Sequence, residues 1–143
     1  MSNYRALIRQ NLIENYKGMF REAGGNLPYP FITPGSQQYA DVLWDWDSWL
    51  SNVALRQILL EAGDVQTAAD ALRYEQGCIL NFLHWGGMDG WTPIVIYRSG
   101  KVYKAVNPYG ENMHKPVLAQ HAAFITQLNG GDAEWLRDKF YYL

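Results

Sequence analysis

The chemistry in this chain is densest at residues 39–49, Tyr-Ala-Asp-Val-Leu-Trp-Asp-Trp-Asp-Ser-Trp. Positions 44–49 alone hold three tryptophans and two aspartates. An indole stacks well on a flat apolar face, a sugar ring included. A carboxylate beside it accepts two hydroxyl hydrogens in a fork. With Tyr39, the cluster of Trp44, Trp46 and Asp47 therefore offers shape and orientation in one small patch. A plainer reading stands beside it: Trp46 and Trp49 fill the core, and Asp47 or Ser48 is the N-cap of the helix that follows.

Other constellations are weaker. His84, His114 and His121 lack a metal-ligand spacing such as His-Glu-x-x-His, so no metal or cofactor is expected. The pairs Gly24-Gly25 and Gly86-Gly87 match neither phosphate-cradling pattern, and no serine stands in a Gly-x-Ser-x-Gly elbow. Asp45 and Asp89 are carboxylates near aromatics and are candidate acids, against a turn or capping role. Cys78 is the single cysteine, so no internal disulfide can form, and its apolar helical surroundings predict a buried thiol.

The elements that must position these residues read mainly as helices. Tyr4, Ile8, Leu12, Tyr16, Met19 and Phe20 recur in steps of three and four and predict a helix from about Tyr4 to Glu22, stopped by Gly24-Gly25. A loop of about twenty residues follows, longer than a connector needs. A second helix is expected from about Asp47 to Ala62, with Trp46, Trp49, Leu50, Val53 and Ala54 facing inward and Gly63 as C′ residue. Asp64 would cap a third helix reaching Trp85, with a stripe of Val65, Ala68, Leu72, Ile79 and Leu83. The short link makes helices two and three an antiparallel hairpin. Thr92–Tyr97 and Lys101–Val106 look like two strands joined at Ser99-Gly100. A fourth helix starts near Pro116, carries Leu118, His121, Ala122, Ile125 and Leu128, and ends at Gly130-Gly131. Asp132 caps a fifth with Trp135, Leu136 and Phe140. The expected class is all-α with one small β-hairpin.

Composition bounds the function. Across 143 residues, twelve basic and fourteen acidic side chains leave a net charge of −2, which gives no long-range pull toward nucleic acid or an anionic membrane. Nearly half the residues are hydrophobic, which argues against disorder. Aromatics make up 15%, a hint of a ligand platform. No apolar run is long enough to span a bilayer and no secretory leader is apparent, so a cytoplasmic location is expected.

Three segments resemble, in order, those of clan G glycoside hydrolases, the trehalases and family 63 glucosidases that include mannosylglycerate and glucosylglycerate hydrolases. Trp44-x-Trp46-Asp47-Ser48 is similar to their Trp-x-Trp-Asp-Ser segment. Gly90-Trp91-Thr92-Pro93 is similar to their Gly-x-Ile-Pro stretch, and Asn112–Leu118 to the segment ending in Ser-Gln-Pro-Pro that opens an inner helix. The resemblance implies an (α/α)6 barrel, of which residues 1–143 supply about five of twelve helices. It implies that Trp44, Trp46 and Asp47 line the −1 sugar subsite. Lys115 stands where the family often has Gln, and there it would suit an anionic aglycone such as a glycerate; the alternative is an exposed helix-start lysine. The family inverts with a carboxylic acid and a carboxylate base roughly 6.5–9.5 Å apart; neither of its catalytic motifs is present here.

The chain is therefore expected to be an N-terminal portion of an inverting glycosidase acting on α-glucoside-type bonds. It would bind a small saccharide, without nucleic acid or membrane, and self-associate through uncovered apolar helix faces. The alternative is a stand-alone helical module whose aromatics bind carbohydrate or a protein partner. A phosphorolytic or lyase activity on a helical toroid is a third option.

Overall fold

A computed structural model describes residues 2–35, 37–63, 65–87, 90–100, 102, 105–107, 110–112 and 115–142. The described chain is mostly helical. Four α-helices, α1 (Ser2–Asn15), α2 (Asp45–Ala62), α3 (Val65–Trp85) and α4 (Leu118–Leu128), are followed by a 3-10 segment over Glu134–Tyr142. Six short strands form three antiparallel pairs: β1 (Phe20–Arg21) with β2 (Phe31–Ile32), β3 (Val42–Trp44) with β4 (Val95–Tyr97), and β5 (Ala105–Asn107) with β6 (Gly110–Asn112). Of the hairpin expected from sequence, the described part of the first strand pairs with β3 and Ala105–Val106 of the second pairs with β6, while Lys101, Tyr103 and Lys104 lie outside the described residues.

The central element is α3, which packs on β2, α2, α4 and the final 3-10 segment. Its buried face carries Ala71, Tyr74, Glu75, Cys78, Ile79 and Phe82. Val65, at the start of the expected stripe, is exposed instead. Gly77 sits mid-helix, at a cost of about 1 kcal/mol relative to alanine. Its presence has a reason: a Cβ there would lie 1.7 Å from the Pro30 carbonyl oxygen, so only glycine lets the chain before β2 lie against α3. Asn81 fastens the same approach, accepting the Tyr29 N–H at 3.1 Å and donating to the Tyr29 carbonyl at 2.9 Å. The long segment expected as a loop is therefore a core wall, with Leu27, Phe31, Ile32 and Thr33 buried.

The first helix is shorter than its periodicity predicts. After Asn15 the backbone tightens into a 3-10 turn over Tyr16–Met19 and then enters β1. Tyr16 and Met19 are buried, whereas Tyr4 and Ile8 are 75% and 62% exposed and Leu12 is also exposed. The apolar stripe is real, but its first half, Tyr4, Ile8 and Leu12, stays exposed. Strand pairing also departs from the expected hairpin. Asn26 accounts for this: its N–H donates to the Arg98 carbonyl, and its side-chain amide donates to the carbonyls of Tyr97 and Gly100. The chain leaving β4 is bound to the 24–27 turn rather than to a returning strand. That turn comes close enough that a Cβ on Gly25, at φ +58°, would overlap the Arg98 carbonyl.

Helix ends follow local chemistry. Gly63, left-handed at φ 67°, closes α2 by donating to the Leu59 carbonyl. Gly130 and Gly131, both at positive φ, follow α4. Asp132 Oδ1 accepts the Glu134 N–H at 2.9 Å, as a cap should, although the element it starts is 3-10 rather than α. The α4 helix begins two residues after Pro116, beyond a tight Lys115–Val117 turn. The expected cap Asp64 lies outside the described residues, as do Met88, Asp89, His114 and the side chains of 140–143.

Candidate aromatic and carboxylate site

The junction of β3 and α2 carries the cluster. Leu43 points into the core opposite Ile96 of β4, so its neighbours Val42 and Trp44 take the outer face. The helix starts at Asp45, two residues earlier than expected; neither Asp47 nor Ser48 is its N-cap. Asp45 is 1% exposed and all its groups are engaged. Its N–H donates to the Ile94 carbonyl at 3.1 Å. Oδ1 accepts the Trp46 N–H at 2.8 Å, and Oδ2 accepts the Lys115 N–H at 3.0 Å. The Ser48 hydroxyl donates to the Asp45 carbonyl at 2.8 Å. A carboxylate committed to two main-chain donors is a clamp, so Asp45 has no candidacy as an acid. The other candidate, Asp89, lies outside the described residues.

This clamp sets out the predicted site residues. Trp46 is 50% exposed, Asp47 is exposed and Trp44 is half-buried. Asp47 lies in the first turn of α2, where the helix dipole favours an anion. The bond from Asp45 brings the main chain of Lys115, itself half-buried, to the same junction across seventy residues of sequence. Tyr39 ends a 3-10 turn over Gln37–Tyr39 and is 38% exposed. Among the described residues no hydrogen bond or ring contact joins Tyr39 to Trp44 or Trp46. A groove of about 960 Å3 runs between α1 and α2, lined by Ile8, Leu12, Ile13, Ala54 and Ile58 with Arg9 and Glu61 paired at its rim. None of its lining residues belongs to the cluster, so the groove is a separate feature.

The face expected to be inward on α2 is not. Trp46, Leu50, Val53 and Ala54 are exposed; of that set only Trp49 packs inward, edge-on to His121 at 5.0 Å and to Phe124 at 5.5 Å between ring centroids. The buried stripe is instead Asp45, Ser48, Asn52, Leu55 and Leu59. It is polar because partners await it. Asn52 donates to Glu75 Oε1 at 2.5 Å, which leaves Asn52 Oδ1 to accept from His121 Nε2 at 2.8 Å and assigns the histidine proton to Nε2. Glu75, fully buried, is gripped at both oxygens by Arg56, which also donates to the Ala68 carbonyl at 3.1 Å. This network ties α2, α3 and α4 together beneath the cluster. Asn52, Arg56 and Glu75 carry no motif in the sequence that singles them out. The available signal was Ser48, Asn52 and Arg56 at steps of four, opposite a glutamate set in an apolar helical run.

Cys78 matches its expectation. It is fully buried, its sulfur accepts the Ile32 N–H at 3.3 Å, and burial pushes its pKa up to about 12. Among the described residues no cluster of three His, Cys, Asp or Glu could hold a metal, and no helix is long and apolar enough to cross a membrane. No protein-family model, curated protein or solved structure matches this chain.

Proposed function

We propose that the chain forms the sugar-binding part of an inverting glycoside hydrolase for α-glucoside-type substrates, as the N-terminal portion of an (α/α)6 barrel. One observation carries this reading. Two of the segments that resemble that family, 44–48 and 112–118, are far apart in sequence yet meet where Asp45 accepts the Lys115 N–H, and the Asp45 N–H donates to the carbonyl of Ile94, the residue that follows the third segment, 90–93. In this reading Trp44 and Trp46 supply stacking surface and Asp47 accepts a pair of hydroxyl hydrogens. Lys115 reads an anionic group on the aglycone. The acid and base that invert the anomeric carbon come from outside these residues, so the chain binds without turning over.

Calorimetric titration with methyl α-glucoside and glucosylglycerate tests the proposal. Weak binding of both, abolished by Asp47→Ala, is the expected result; binding unchanged in Asp47→Ala, or absent in the unmodified chain, overturns it. Lys115→Ala should weaken glucosylglycerate and spare methyl α-glucoside, and equal loss for both removes the anion-reading role.

A second reading, an interaction module, draws on a different observation: the exposed stripes of α1 and α2 on either side of the 960 Å3 groove. Such a surface favours self-association. Light scattering should show oligomers that Ile8→Lys and Leu50→Lys dissolve; a monodisperse monomer at high concentration counts against it.

A further inference from the structure

The groove between α1 and α2 has apolar walls and a few charges. Ile8, Leu12 and Ile13 from α1 and Ala54 and Ile58 from α2 line its volume of about 960 Å3. Its charged groups are two cations, Arg5 and Arg9, and one anion, Glu61. Arg9 donates through Nε to Glu61 Oε2, so those two charges neutralise each other. Arg5, one turn earlier, has no hydrogen-bond or ion-pair partner among the described residues. Along α1 the free charge thus comes first and the apolar groups follow it. From Arg5 to Leu12 this wall runs about 10 Å at a rise of 1.5 Å per residue.

We infer that the groove binds a free single-chain carboxylate of medium length, with its alkyl chain on the apolar walls and its head group accepting from the Arg5 guanidinium. An extended chain gains roughly 1.2 Å per bond, so about eight carbons cover the 10 Å wall. The volume is that of a small-molecule site, commonly about 300–1,000 Å3, apolar with a few placed polar groups. Charge favours an anion over a second copy, since a two-fold contact sets a patch against itself and here would set an unpaired arginine against a surface rich in arginine. Size disfavours a protein segment: ten residues line the groove, against roughly 20–30 a side in a stable protein interface. A free acid fits better than a bilayer lipid, because a net charge of −2 gives no attraction to an anionic surface. The ligand also completes α1. Residues 3–12 are all exposed, and a helix of 14 residues is marginal in water without packing. An alkyl chain against Ile8 and Leu12 supplies that packing. The site is distinct from the aromatic cluster and does not rest on the saccharide reading.

Calorimetric titration with hexanoate, octanoate, decanoate and dodecanoate, each below its micelle concentration, tests the inference. Octanoate should bind about tenfold more tightly than hexanoate, the increment of two buried methylenes, and the gain should level off by decanoate, when the chain outruns the wall. Arg5→Gln should weaken octanoate about fivefold and leave octan-1-ol unchanged. Ala54→Phe, at an exposed position, fills the groove and should weaken both ligands; a thermal melt confirms that both variants fold. Octanoate should also slow amide exchange along α1. No binding of octanoate, affinity that keeps rising through dodecanoate, or binding unchanged in Ala54→Phe overturns the site. Equal loss of octanoate and octan-1-ol in Arg5→Gln overturns the carboxylate, and binding to anionic vesicles without binding of octanoate overturns the free acid in favour of a membrane surface.

Discussion

The two faces of α2 reverse the usual distribution of polarity. Inward lie Asp45, Ser48, Ser51 and Asn52; outward lie Trp46, Leu50 and Val53. Polar groups are costly to bury only when unpaired, and here each of the principal ones is met: Asp45 by two backbone N–H groups, Asn52 by His121 and Glu75. On the outward side α1 meets α2 only beside Ala54, Ile58 and Glu61, and Trp46, Leu50 and Val53 stay exposed. Burial on this helix follows the available hydrogen-bond partners, and those three side chains are left outward.

The inward face should be the more sensitive to substitution. Glu75→Leu leaves the Arg56 guanidinium against the core without its anion and should cost about 3–5 kcal/mol in urea unfolding. Adding Arg56→Leu should restore much of that loss; a double variant no better than the single one would show that the ion pair is not what the position requires. Asp45→Ala frees two main-chain donors and should cost about 1–3 kcal/mol. Accelerated amide exchange at Lys115 is its signature, and unchanged exchange there would contradict the clamp.

Cys78 offers an alkaline test of burial on the neighbouring helix. Its folded pKa of about 12 lies above the ordinary 9.0, so the neutral thiol favours the fold. That contribution is complete below pH 9 and is lost as pH rises toward 12. By pH 10 the loss should be about 1 kcal/mol, absent in Cys78→Ala. Alkylation in the native state should be slow at pH 8, because the thiol is both neutral and enclosed. The outward face comes last: Trp46→Ala should move stability by no more than about 0.5 kcal/mol while abolishing sugar binding. A large loss of stability would return Trp46 to the core.

Much of the helical framework was legible. The ends of α2 and α3, the left-handed Gly63, the Asp132 cap and the buried Cys78 all follow from short-range rules of backbone and side chain. Trp44, Trp46 and Asp47 are near neighbours in sequence, and Trp46 and Asp47 are exposed at the start of α2. Asp45 was not legible as a clamp, since that role needs Lys115, a partner seventy positions away.

Spacing along the chain therefore determined where α2 and α3 run and where they stop, because caps, glycines and periodicity act within a turn or two of themselves; it did not end α1 at Asn15. It did not determine which side of a helix turns inward. That choice fell to Glu75 and His121, whose hydrogen bonds to Asn52 set the polar side of α2 inward, and Asn26 holds the carbonyls of Tyr97 and Gly100 at the end of β4. Such preferences depend on which distant groups arrive in reach, and only the packed chain brings them there.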